Sequence, residues 1–110
     1  MAEFIVGDIK WKKGELGLQR FNLFESDGET PRNGTGVTYT FAFWKKGATA
    51  VKGSGSLIAV TPANGEWDYQ ILATDTDTID DYIGELIEDP TGAKIRSESF
   101  AVSVEESSDL

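Results

Sequence analysis

The residues of this chain best suited to chemistry are carboxylates. Asp75-Thr76-Asp77-Thr78-Ile79-Asp80-Asp81 places four aspartates within seven positions, and oxygen ligands at that density suggest Ca²⁺, which takes about six to eight of them. The run lacks the alternating acids, central glycine and distant Glu of a calcium loop. Asp75, Asp77, Asp80 and Asp81 are therefore weak metal candidates, and an acidic turn between two strands is the plainer reading. Histidine and cysteine are absent. That removes the commonest general base, the commonest transition-metal ligand, thiolate nucleophiles and disulfides. Gly34-Thr35-Gly36 is a glycine-rich turn with no lysine-bearing phosphate loop or helix after it. No catalytic residue, no cofactor and no enzymatic activity are expected.

Two aromatic residues sit among cations instead. Trp44 stands beside Lys45 and Lys46, and Trp11 beside Lys10, Lys12 and Lys13. Aromatic anchors flanked by basic side chains suit a protein contact, where a buried ring dominates binding energy. Trp44, Lys45, Lys46, Trp11, Lys12 and Lys13 are the candidate partner-binding residues, each patch forming an edge contact. Trp44 falls on the outward parity of its strand, and the competing reading is a ring folded over its own domain edge.

The net charge of −9 argues against nucleic acid, whose affinity comes largely from Lys and Arg on phosphates, and against an anionic membrane surface. The charge is uneven: residues 1–52 carry eight basic and six acidic side chains, and residues 53–110 carry two and thirteen. A solvated acidic surface explains this, and so does a bipolar module that stacks in an ordered array. No apolar run is long enough to span a bilayer, and the start reads as no secretory leader.

The elements that position these residues have a period of two. Val37-Thr38-Tyr39-Thr40-Phe41-Ala42-Phe43, Glu66-Trp67-Asp68-Tyr69-Gln70-Ile71 and Phe100-Ala101-Val102-Ser103-Val104 each alternate apolar with polar or small residues, as strands with one covered face do. A further strand is expected over 4–11. Another spans 16–24, with a bulge near Gln19 and Arg20 reconciling Leu16 and Leu18 with Phe21 and Leu23. A hairpin is expected through Gly53 and Gly55, and residues 94–99 lead into the last strand. Residues 80–88 have helical spacing at Tyr82, Ile83, Leu86 and Ile87, but Gly84 and Pro90 favour a strand with Tyr82, Gly84 and Leu86 facing inward. Tyr82 suits a tyrosine corner, its phenol bonded back to upstream backbone.

Turn signals at Ser26-Asp27-Gly28, Asn33-Gly34, Lys45-Lys46-Gly47, Pro62-Ala63-Asn64-Gly65 and Asp89-Pro90-Thr91-Gly92 recur about every ten residues, the spacing of a sandwich or barrel. The expected fold is all-β, an antiparallel β-sandwich of about seven to eight strands. It forms a single domain over 1–104, with a flexible acidic tail at 105–110. Phe21, Tyr39, Phe41, Phe43, Trp67, Tyr69 and Phe100 are its expected core.

The order of these pieces resembles an N-terminal module of baseplate upper proteins of tailed phages. The resemblance runs through Trp11-Lys12-Lys13-Gly14-Glu15, Ser26-Asp27-Gly28 and Gly34-Thr35-Gly36-Val37-Thr38-Tyr39-Thr40-Phe41. It continues in Asn64-Gly65-Glu66-Trp67-Asp68-Tyr69, Thr74-Asp75-Thr76-Asp77-Thr78, Tyr82, Thr91-Gly92 and Phe100-Ala101-Val102-Ser103-Val104. It departs at Asp80-Asp81, where the family usually has a glycine just before the tyrosine. The fuller family members go on into stalk and receptor-binding or adaptor regions. What the resemblance implies is an immunoglobulin-like sandwich used for docking in a virion.

Three functions follow as expectations. The first is a structural component of a tailed-phage virion at the tail or baseplate, assembled in the host cytoplasm. Its partners are other virion proteins, copies of itself among them in a symmetric assembly, with no nucleic acid and no membrane. The second is a decoration or cement protein of the phage head (capsid). The third is a cell-surface carbohydrate-binding module with an aromatic platform.

Overall fold

Alternation along the chain becomes two sheets facing each other across a shared layer of rings. The computed structural model describes residues 4–89 and 95–106. Its strands are β1 (Ile5–Val6), β2 (Ile9–Lys12), β3 (Gly17–Phe24), β4 (Thr38–Lys45), β5 (Val51–Ser56), β6 (Ile58–Thr61), β7 (Glu66–Ile71), β8 (Asp80–Asp89), β9 (Ile95–Arg96) and β10 (Phe100–Glu105). A 3₁₀ turn, Pro62–Asn64, precedes β7. The smaller sheet runs β1-β3-β7-β6, and the larger runs β2-β10-β8-β4-β5 with β9 also paired to β8. All pairings are antiparallel except β10 with β2, which is parallel. The protein is thus an all-β sandwich. Setting aside the two-residue β1 and β9 leaves eight strands.

The expected core residues are all buried. Phe41 lies at its centre, stacked on Phe43 at 5.3 Å and edge-on to Tyr69 at 4.9 Å between ring centroids. Edge-to-face and offset contacts of this kind suit rings whose faces and edges carry opposite partial charge. The segment over 80–88 is a strand, with Tyr82, Gly84 and Leu86 inward. Tyr82 leans back on the Thr78 carbonyl at 3.5 Å, the outer limit of a hydrogen bond.

Three sequence expectations are corrected. The strand over 4–11 is two strands, because the chain crosses between sheets at Gly7-Asp8 and β2 joins β10 rather than β3. No bulge interrupts β3: its register with β7 is continuous from Gly17↔Ile71 to Asn22↔Glu66. Leu16 and Leu18 are simply exposed. The glycines at 53 and 55 make no hairpin, since β5 runs straight through both. A Cβ at Gly53 would lie 2.2 Å from Asp75 Oδ1, and one at Gly55 would lie 3.1 Å from the Tyr69 ring. They are glycines so that the interior can close against β5.

β10 runs through Glu105, whose carbonyl accepts from Lys13 N, so the strand extends one residue past the expected limit at 104. The turn at Pro90-Thr91-Gly92, Lys94 and the tail residues 107–110 lie outside the described residues.

Candidate docking face and two buried carboxylates

The two candidate patches have different fates. Trp44 lies on the outer face of the larger sheet, half-buried, opposite Ile83 of β8 and Val51 of β5. The three make an apolar row across three strands, since directly opposed residues share a face. Lys45 is drawn into an ion pair with Asp80 at 3.0 Å, and its pKa is raised by that hydrogen bond. Lys46 is exposed at the following turn.

Trp11 contradicts its expected surface role. It is 1% exposed, packed edge-on to Phe43 and stacked with Tyr69. Ile9-Lys10-Trp11-Lys12 alternates in burial, so the lysines face water and the indole faces the core. Its Nε1 donates to Gln19 Oε1 at 2.9 Å, and Gln19 Nε2 donates to the Arg20 carbonyl. Gln19 thereby stitches β2 to β3 where the sheets part. Lys12, paired with Glu105 at 3.3 Å, and Lys13 remain at the surface without the ring.

The four aspartates proposed for a metal are not brought together. Asp77 pairs with Lys52 and Asp80 with Lys45, each carboxyl held below its ordinary range by that lysine. Asp81 is exposed, while Asp75 is fully buried. Among the described residues, no three carboxylates are placed to hold an ion.

Asp75 answers to the fold instead. Its Oδ2 accepts from the Tyr69 hydroxyl at 2.7 Å and from Leu72 N at 2.8 Å, while Oδ1 has no partner. Thr76 beside it, also buried, donates to the Glu15 carbonyl, fastening the 72–79 loop to the β2–β3 turn.

A second buried carboxylate escaped the sequence reading. Glu88 faces inward on β8 and takes a forked pair from Arg32, Nε at 2.6 Å and Nη2 at 2.9 Å, plus the Tyr39 hydroxyl at 2.5 Å. Arg32 also donates to Glu25 at 2.6 Å and lies 4.7 Å over the Phe4 ring. Burial pushes the Glu88 carboxyl up, but the Arg32 and Tyr39 hydrogen bonds more than offset it, and the net pKa falls below normal. Burial first, then the neighbouring carboxylate, holds the Tyr39 and Tyr69 phenols well above their usual range, so both remain donors. A signal was available. Glu88 continues the inward parity of Tyr82, Gly84 and Leu86, and a charge on a core parity requires a partner.

The arrangement, among the described residues, is one of hydrogen-bonded buried carboxylates and an apolar outer row. No protein-family description matches the chain, and no curated protein matches it. Among solved structures, it is similar to the N-terminal domain of phage TP901-1 ORF48. That match has a TM-score of 0.62 and 15% identity, covering 91% of this chain and 86% of that one. At that identity the shared property is the fold.

Proposed function

We propose that this chain is a non-enzymatic structural component of a tailed-phage virion, a docking module at the tail or baseplate. One observation carries the reading: the fold of nearly the whole chain is similar to that of an N-terminal domain from a phage protein. The resemblance to baseplate upper proteins in turns and strand motifs points the same way. The crossing of the first ribbon between sheets, with β2 parallel to β10, and Tyr82 leaning on Thr78 are in keeping with an immunoglobulin-like sandwich.

Contact falls to the Trp44–Ile83–Val51 row with Lys46 at its edge, and to Lys12 and Lys13. Partners are other virion proteins, and net charge disfavours nucleic acid. A sugar platform lacks its rings: of the three Trp and three Tyr, all but Trp44 are buried. The test is to locate the protein on particles and count it. A few copies at the tail support the reading, copies in the hundreds on the head select decoration instead, and absence from particles overturns both. In the same assay Trp44→Ala should abolish incorporation while leaving the melting temperature nearly unchanged.

A further inference from the structure

Of the three asparagines in the sequence, two stand directly before glycine, in the turn motifs Asn33-Gly34 and Pro62-Ala63-Asn64-Gly65. Asparagine is a thermolabile residue. It is most so before glycine, whose missing side chain leaves the next backbone nitrogen unhindered. In the reaction the glycine N loses its proton and bonds to the asparagine Cγ. The Cγ–Nδ2 bond breaks and ammonia leaves, giving a succinimide. Water then opens the ring to aspartate or to isoaspartate, the second with one more carbon in the backbone. Asn33 and Asn64 are both exposed, so water reaches them.

The fold brings the two motifs to one atom. Gly34 N donates to the Pro62 carbonyl at 2.9 Å, and Gly65 N donates to the same oxygen at 3.1 Å. A carbonyl oxygen has two lone pairs and can take both. A nitrogen held this way neither gives its proton to water nor turns toward the neighbouring Cγ. Both glycines are also wedged in place. A Cβ on Gly34 would lie 2.9 Å from the Tyr39 ring and 3.0 Å from the Trp67 ring. One on Gly65 would lie 2.5 Å from the Leu23 carbonyl oxygen and 3.0 Å from that of Arg32. The Gly65 carbonyl in turn accepts from Leu23 N at 2.9 Å. A backbone lengthened by one carbon just before either glycine has no free space to take up there.

We propose that Asn33 and Asn64 are paired deamidation sites latched by the shared Pro62 carbonyl. Opening of the 62–65 turn releases both at once, and the isoaspartyl products do not fold back. The 62–65 turn thereby guards the 25–37 loop as well as itself, although the two are distant in sequence. This chemistry is independent of the virion reading and needs nothing but water.

The test is ageing at mildly alkaline pH, folded and in urea, with peptide mass mapping that separates aspartate from isoaspartate. Conversion at both sites should be slower in the fold than in urea by about tenfold or more. Pro62→Gly loosens the turn and should raise both folded rates together, by about two- to fivefold. In the parent chain the Gly34 and Gly65 amides should be protected from exchange to the same degree, a reading that needs no variant. Chain aged in urea and then diluted should yield a folded fraction free of isoaspartate at both positions. Equal rates in the fold and in urea at either asparagine overturn the proposal. So does a Pro62→Gly rise that is absent or confined to one site, unequal protection of the two amides, or isoaspartate carried into the folded fraction.

Discussion

Two core tyrosines each donate a phenolic hydrogen bond to a buried carboxylate, and the two carboxylates are kept in opposite ways. At the start of β4, Tyr39 meets Glu88, whose two oxygens are taken by a forked guanidinium as well as the phenol. Beyond the other end of β4, Tyr69 meets Asp75, which has no ion-pair partner among the described residues and one oxygen with no partner at all. The first site spans 56 residues of chain and pins the 25–37 loop to β8. The second closes within six residues and is confined by the absent side chain of Gly53. One is an electrostatic cross-link and the other a packed turn. The same chemical change should therefore cost differently at each.

The largest separation is expected on removing the cation. Arg32→Ala strands Glu88 in a side-chain environment only 6% exposed, and breaking a buried pair from one side costs roughly 3–5 kcal/mol. Urea unfolding of the variant measures it. A loss below about 1 kcal/mol would make the pair a surface ornament and erase the distinction.

Acid comes next. The Glu88 carboxyl is depressed in the fold, so its contribution is fully present above the ordinary carboxylate pKa and is lost as pH falls through the depressed one. Melting temperature should therefore drop on acidification below the normal carboxylate range. Glu88→Gln should lower the plateau at neutral pH and flatten the acid limb. Some slope should persist, because Asp27, Asp77 and Asp80 are also depressed, by Thr30, Lys52 and Lys45 respectively. An acid limb unchanged in Glu88→Gln would mean that the pinned site is not where pH acts.

The two sites were unequally legible in the sequence, and the reason is distance along the chain. Alternation reveals β4, β7 and β10 because each has one face on the core, and the aromatic layer follows from parity alone. Trp11 was misread because its lysine neighbours suggested a patch, although the same alternation had already turned the ring inward. Gly53 and Gly55 were read as turn residues, a local property, when their cause is the Asp75 side chain arriving from the 72–79 loop and the Tyr69 ring from the facing sheet. Leu16 and Leu18 show that an apolar residue on the outward parity requires no bulge to explain it. Arg32 with Glu88 leaves no local pattern. Only the misplaced charge at the end of an inward parity marks it.

The smallest effect is the most discriminating. Asp75→Asn keeps an acceptor for Tyr69 and Leu72 N while removing a charge that no ion pair compensates. The orphan oxygen position becomes an orphan amide, an exchange of one unsatisfied group for another, so stability should move by about 1 kcal/mol or less in either direction. Glu88→Gln, the matching carboxylate-to-amide change, gives up the charge assistance in the Arg32 fork and should cost about 1.5–3 kcal/mol. Equal losses at the two positions, measured by urea unfolding at neutral pH, would mean that Asp75 also depends on its charge. Lys52, whose pKa is raised chiefly by its hydrogen bond to Asp77 and least by Asp75, would then be the cation to remove next.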